Sequence, residues 1–299
     1  FIEACREATI PAKEIPVVRA LQMEPLLHPE IKRVVQVPDG TLDAWRLPLH
    51  FFATAKANGA EVKNFTEVVD ITVTNRRVTG VRVLDQATQQ EYEIPADFVI
   101  NATGAWAGWV CNMVGIHLPI TPAPGSMVAV KRRLNNMVVS QLHPADDGDI
   151  IVPQRKLSIA GTTQWVTDDP DSILARHEDI AFLIRRASAM IPAFAETPYH
   201  AAWSAVRPLA GTSEGNDGRS LSRDFNCIDH QEADGVAGFL SVIGGKATVL
   251  RAMAEKVVDA FCSILGEEIP CTTAEEPLLP HRAYYNPSLS GGGARAGHK

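Results

Sequence analysis

The chain has 299 residues, of which 45% are hydrophobic and 21% charged, with 21 Gly and 20 Pro; this is the composition of a folded chain long enough for a large core and two domains. A net charge of −7 argues against a nucleic-acid-binding face, because phosphate backbones select basic domains. Five cysteines without a C-x-x-C pair, and no apolar run of the roughly 18 residues that a membrane helix needs, predict a reducing compartment, no structural metal and no transmembrane segment.

The opening stretch, "FIEACREATIPAKEIP", mixes acids and bases without an apolar h-region, so it is not a signal peptide. It begins inside a helix-like pattern without an initiator Met, and the chain reads as part of a longer one. "TLDAWRLPLHFFATAKANG", residues 41–59, predicts a helix capped by Thr41 or Asp43 and stopped at Gly59, with Pro48 limiting how early its hydrogen bonding starts. The next segment alternates apolar and polar residues with β-branched enrichment, which predicts a meander. It feeds a buried strand, "ADFVINATG" at 96–104, followed by the small-residue helix "AWAGWVCNMVG".

Proline and glycine thicken in "HLPITPAPGSMVAV", marking a crossing into a second domain. From 121 to 235 the strand patterns "GSMVAVKRR", "GDIIVPQ", "KLSIAGTTQ" and "YHAAWSAVRPLAG" surround one amphipathic helix, "DSILARHEDIAFLIRRASAMI", and predict a mixed sheet covered by helices. Residues 236–270 return to strand, glycine turn and helix, ending at Gly266. The tail, 271–299, closes in the low-complexity "SLSGGGARAGHK", predicted to be disordered at its end. The class is mixed α/β, with domains expected over 1–120 and 236–270 together and over 121–235.

Three features carry chemistry. In "SVIGGKATV" a phosphate-gripping Walker loop is excluded because Leu240 stands where its first glycine belongs. Gly244 and Gly245 instead let backbone approach a planar ligand, and the N-terminus of the helix starting near Ala247 and Thr248 suits the negative charge that develops on a reduced flavin. Taken alone, the same residues read first as a tight βα turn with an exposed lysine. "NATGAW", Asn101 to Trp106, is a second bend of this kind, and ligands of α/β sheets bind at the carboxyl ends of strands. Arg207, Arg223 and Lys246 form a set of cations. Arg207 stands in an otherwise apolar strand and needs an anion, either a ligand or an internal carboxylate such as Asp217 or Asp224.

Taken in order, "PDGTLDAWRL", "VINATGAWAG", "IAGTTQ", "WSAVRPLAG", "LSRDF" and "GFLSVIGGKATVLRAMAEKVVD" resemble the FAD-dependent glycerol-3-phosphate dehydrogenases of the glycine/D-amino-acid oxidase fold, the likeness being greatest to the large subunit of the anaerobic enzyme. It covers residues 1 to 275. The resemblance implies a Rossmann-like FAD-binding domain with an inserted substrate domain. It places Glu67 and Val68 at the adenine side of FAD, Thr103, Gly104 and Trp106 along the cofactor, and Gly244, Gly245, Lys246, Ala247 and Thr248 at the flavin ring. Arg207, Arg223 and Lys246 would bind substrate, with Arg207 and Lys246 lowering the cost of an alkoxide at C2. Arg46 falls on a family arginine but reads as a structural ion pair.

Two departures stand out. No G-x-G-x-x-G turn precedes Pro38, so the family's pyrophosphate site is missing and the isolated residues are expected to hold flavin poorly. Met127 stands where some aerobic relatives have a histidine, leaving the general base unassigned; His143 and His200 read as structural. Nothing after Cys271 matches the cysteine-rich region of the anaerobic enzyme's large subunit. The expected activity is oxidation of sn-glycerol 3-phosphate to dihydroxyacetone phosphate, with electrons passed to quinone through membrane-anchoring partner subunits at the cytoplasmic face of the membrane. The alternatives are a 2-hydroxy acid or secondary amine as substrate, or a non-catalytic module.

Overall fold

The structure, a computed structural model, describes residues 1–143, 146–211 and 224–290. In chain order the elements are α1 (Ile2–Glu7), β1 (Lys13–Ile15), α2 (Val17–Met23), β2 (Val34–Gln36), α3 (Leu47–Ala57), β3 (Thr66–Thr74), β4 (Arg77–Asp85), β5 (Gln90–Pro95), β6 (Val99–Asn101) and α4 (Ala107–Met113). They continue with β7 (Ile120–Val130), β8 (Val139–Ser140), β9 (Ile150–Gln154), β10 (Leu157–Gly161), α5 (His177–Met190), α6 (Ala193–Glu196), β11 (Tyr199–Ala210), β12 (Phe225–Asp229), α7 (His230–Asp234), β13 (Phe239–Gly244) and α8 (Leu250–Leu265). The class is mixed α/β, as the sequence predicts. The chain divides into two compact units, residues 1–42 with 122–207 and residues 43–121 with 208–299.

The first unit is built on a sheet of order β11-β7-β10-β9-β8. The pairs β7–β10, β10–β9 and β9–β8 are antiparallel. Strands β8, β9 and β10 of this ladder follow one another closely in sequence, and short connections favour antiparallel pairing. Helix α5 covers it with Leu183, Ala187 and Met190, spaced at i, i+4 and i+7, packed on Val128, Val130, Ile151 and Ala160. The helix starts at His177, later than the pattern suggests. Arg176 stays extended and forks onto the buried Asp179 carboxylate at 3.0 and 3.1 Å, and Ser126 also donates to that carboxylate.

Residues 1–42 belong to this unit, whereas reading in chain order kept them with the first domain. The reason is a buried acid. The Glu24 carboxylate, 3% exposed, accepts from the backbone N–H groups of Asn136 and Met137, His28 N–H donates to Met190 O, and Leu26 and Leu27 pack on the α5 core.

In the second unit β3, β4 and β5 form the predicted antiparallel meander. Its first turn places Asn75 and Arg76 at φ 51° and 59°, the doubly left-handed geometry of a tight hairpin. A separate sheet runs β12-β13-β6, with β13 antiparallel to β12 and parallel to β6. Helix α4 packs its Val110 and Cys111 with Phe239 of β13 and Ile71 and Val78 of the meander.

Local details depart from the sequence pattern in three places. The "buried strand" of 96–104 is only three residues long, at the edge of its described sheet, with Ile100 42% exposed. Helix α3 starts at Leu47, with Pro48 in its first turn, where a missing N–H costs nothing; Asp43 caps the preceding turn through the N–H groups of Trp45 and Arg46. After Gly245 the chain makes a 3-10 turn, Ala247–Val249, before α8 runs from Leu250 to Leu265 and is capped by Gly266, φ 75°. Of the tail, the 3-10 turn His281–Tyr284 packs on α3, with His50 Nδ1 donating to Leu279 O at 2.8 Å; the end predicted to be disordered lies outside the described residues.

Candidate active site

The second unit brings the two glycine bends to one end of adjacent strands. Strands β6 and β13 pair in parallel with Asn101 opposite Ser241; Gly104 and Gly244 each stand three residues beyond that pair, Gly104 past the end of β6 and Gly244 as the last residue of β13. More than a hundred residues separate them in sequence; the strand ladder pairs the residues that lead into them. Gly104 has φ 62° and a Cβ added there would meet nothing within 4 Å. Gly244 and Gly245 have φ 76° and 83°, and an added Cβ would collide with Asp224 O at the first and with the Met253 side chain at the second. The two glycine sets therefore differ. Gly104 leaves space in front of the backbone, whereas Gly244 and Gly245 let the chain pass close to its own neighbours.

Lys246, Ala247, Thr248 and Val249 are exposed, Lys246 in an extended conformation at the start of the 3-10 turn. Thr103 is exposed and Trp106 is 37% exposed. The open left-handed Gly104 and the exposed residues 246–249 each fit a flat ligand held by main-chain groups, so the residues present suit a flavin. Val68 packs partly buried on the core that carries Val110, Cys111 and Phe239, while Glu67 is exposed and accepts from Gln86 Nε2.

Arg207 belongs to the other unit, on β11. Its Nη2 donates to Thr162 Oγ1, and Gly125 makes room for it: an added Cβ there would stand 2.6 Å from Nη1. Arg223, with Asp217, lies outside the described residues. Met127 faces Gly161 across β7 and β10, where a side chain at 161 would meet its Cγ at 3.0 Å. Arg46 lies 3.7 Å from Asp43, in agreement with a structural ion pair. His143 and His200 are exposed, His143 in contact with Gln141 and Arg186.

The sequence pattern missed the polar residues behind the bends. Asn101, Cys111, His230 and Ser241 are each 1% exposed or less and are linked by hydrogen bonds. Burial pushes the Cys111 thiol up, against the lowering effect of hydrogen bonds from Ser241 and Asn101; burial and then Asp229 push Cys227 up. The signal was present as single polar residues inside the apolar runs "FVIN" and "FLSVIG", and as the His-x-x-x-Asp spacing of α7.

A family model described as "FAD dependent oxidoreductase" matches residues 1–249. The chain belongs to this family, and FAD is its cofactor. Among curated proteins it is 36% identical over 291 residues to the A1 subunit of the anaerobic glycerol-3-phosphate dehydrogenase of Haloferax volcanii, covering 93% of this chain and 49% of that protein. It is 35% identical over 280 residues to the counterpart in the anaerobic glycerol-3-phosphate dehydrogenase of Escherichia coli, covering 93% and 52%. The chain thus spans about half the length of these relatives. Among solved structures, the glycerol-3-phosphate dehydrogenase of Bacillus halodurans complexed with FAD is similar with a TM-score of 0.73 and 26% identity, over 90% of this chain and 55% of that one. A glycine oxidase from Bacillus cereus, at TM-score 0.70 and 20% identity over 88% and 67%, shows the same fold. Among the described residues no helix is long and apolar enough to cross a membrane, and no group of three or more His, Cys, Asp or Glu could hold a metal.

Proposed function

We propose that the chain carries the flavin-side cradle and substrate domain of a dehydrogenase that oxidises sn-glycerol 3-phosphate to dihydroxyacetone phosphate. The observation that carries this reading is the parallel pairing of β6 with β13, which brings the strand ends that lead into Gly104 and Gly244 to one side of the same sheet. It is supported by the relatives named glycerol-3-phosphate dehydrogenase, one of which was solved with FAD.

When bound, FAD supplies the hydride acceptor. Backbone at Thr103, Gly104 and Trp106 and at Gly244 to Thr248 would hold it, with Glu67 and Val68 toward the adenine end. Lys246, Arg207 and Arg223 are assigned, each on its own, to the phosphate and hydroxyl of the substrate, where a cation favours the negative charge that develops on a C2 oxygen losing its proton. Electron delivery to quinone through membrane-anchoring partner subunits, with the chain at the cytoplasmic face, belongs to the same reading. It draws on the naming of the relatives as subunits.

The test is a visible absorbance scan of the purified chain with FAD added, followed by anaerobic addition of substrate. Flavin bands that bleach with glycerol 3-phosphate, and not with 2-hydroxyglutarate or sarcosine, are expected. Bleaching by either of the latter alone overturns the substrate; because the missing pyrophosphate turn weakens binding, FAD is titrated to millimolar excess, and bands that stay those of free FAD throughout overturn the cradle. Replacing Arg207 or Lys246 by Met is expected to weaken glycerol 3-phosphate binding about tenfold or more, as for loss of a charge-assisted hydrogen bond.

A further inference from the structure

Behind the bends a line of polar side chains crosses an apolar core. His230 opens α7 and stacks on Phe239, with ring centroids 4.8 Å apart. Its Nδ1 lies 2.6 Å from Asp234 Oδ2, and its Nε2 lies 2.8 Å from Ser241 Oγ. Ser241 Oγ is 3.2 Å from Asn101 Nδ2 and 3.3 Å from Cys111 Sγ. Asn101 Oδ1 is 2.6 Å from the Thr103 hydroxyl, and Asn101 Nδ2 is 3.0 Å from Ala107 O. The line runs from a carboxylate that is 35% exposed to the first residues of a glycine bend.

The direction of this line follows from what each group is able to do. A carboxylate accepts only, so His230 Nδ1 carries a hydrogen and gives it to Asp234. Ala107 O also accepts only, which fixes the Asn101 amide with its NH2 toward Ala107 and Ser241 and its oxygen toward Thr103. Ser241 Oγ accepts from Asn101 and makes a second hydrogen bond with His230 Nε2. The Thr103 hydroxyl then gives its only hydrogen to Asn101 Oδ1. What remains on the Thr103 oxygen is lone pairs. Such groups at this depth are costly unless satisfied, and here each has a partner.

We propose that His230 and Asn101 are positioning residues which lock the Thr103 hydroxyl as a hydrogen-bond acceptor, so that the 101–104 bend takes an O–H or N–H donor of the bound flavin nucleotide. This deepens the proposed function and rests on it for the identity of the ligand. The bend would be rigid before any ligand arrives, because Ala107 O sets which way the Asn101 amide faces and Ser241, held in turn by His230, partners its second N–H.

Two measurements test it, one of them without ligand. In hydrogen–deuterium exchange of the chain alone, His230→Phe keeps the ring stacked on Phe239 and removes both nitrogens. Exchange in residues 99–107 is expected to rise about tenfold, as for loss of one hydrogen bond. His230→Gln, whose side-chain amide keeps a hydrogen bond with Ser241, is expected to restore protection and covers the case in which the Phe variant does not fold. Faster exchange confined to 228–243 in both variants overturns the proposal.

In titrations with FAD followed by flavin fluorescence, Thr103→Ser is expected to bind as the unaltered chain does, and Thr103→Val about tenfold more weakly. Combining Thr103→Val with His230→Phe is expected to cost no more than the larger single change, because both break one line. Full additivity overturns the link. If the unaltered chain binds no FAD, the proposed function fails, while the exchange result still decides whether His230 and Asn101 hold the bend.

Discussion

At the scale of single residues, glycines separate a requirement of the fold from a requirement of the site. Gly125 sits where an added methyl would meet Thr163 O and the Arg207 guanidinium together. Backbone cannot yield cheaply there, so Gly125→Ala is expected to destabilise the first unit by about 1–3 kcal/mol, measured from the midpoint of denaturant unfolding, and to displace Arg207. Gly104 and Gly244 offer a sharper contrast. Both are left-handed, a conformation that costs a residue with a Cβ about 1–2 kcal/mol. Gly244→Ala adds a collision with Asp224 O and is expected to lower stability well beyond that figure. Gly104→Ala meets open space, so its stability loss stays near the conformational cost while FAD affinity falls severalfold, because the new methyl stands where the ligand is proposed to lie. A Gly104→Ala chain that binds FAD unchanged places the flavin elsewhere.

At the scale of elements, what could be read from sequence was what is local. The meander β3–β4–β5 and the strand, glycine pair and helix of residues 239–265 announce themselves because alternation, turn residues and helical spacing lie within one short window. The parallel pairing of β6 with β13 spans 140 residues, and no local pattern specifies it; only the ordered set of motifs suggested that the bends meet. His230 and Ser241 escaped notice because a lone polar residue in an apolar run has no periodicity, and residues 1–42 were misplaced because a buried Glu24 looks like any surface acid until its backbone partners are known. The contact of the 281–284 turn with α3 was equally hidden, and it yields a pH dependence. Burial lowers the His281 imidazole from its ordinary value of 6.5, as do Arg46, His50 and Arg282, with Asp43 opposing. The unfolded segment therefore takes up a proton before the docked one does. Docking is fully stable above pH 6.5 and weakens as the pH falls from there toward the lowered folded value. Exchange of residues 278–285 is expected to quicken from pH 7 to pH 5, and His281→Gln is expected to remove that slope. A slope that survives the substitution belongs to another group.

At the scale of the whole molecule, the cysteines report where a ligand acts, because all five are unpaired and stand in different surroundings. Cys271 is exposed, Cys227 is half-buried on β12, and Cys5, Cys111 and Cys262 are buried. Thiol reagents attack the thiolate, so each unit by which burial raises a thiol slows its labelling about tenfold at neutral pH. Cys271 is therefore expected to label at once, Cys227 more slowly, and Cys111 only when the second unit opens. A ligand that binds only the closed form slows that opening in proportion to its saturation, about a hundredfold at a hundred times its dissociation constant. Cys111 lies in α4 directly after the first bend, and Cys227 pairs with Val242 two residues before the second. If flavin occupies the two bends, FAD slows labelling of Cys111 and Cys227 together and leaves Cys271 unchanged, as followed by mass spectrometry of labelled peptides. Protection of neither, at FAD concentrations that quench its fluorescence on the chain, would show that FAD binds away from the β6–β13 end.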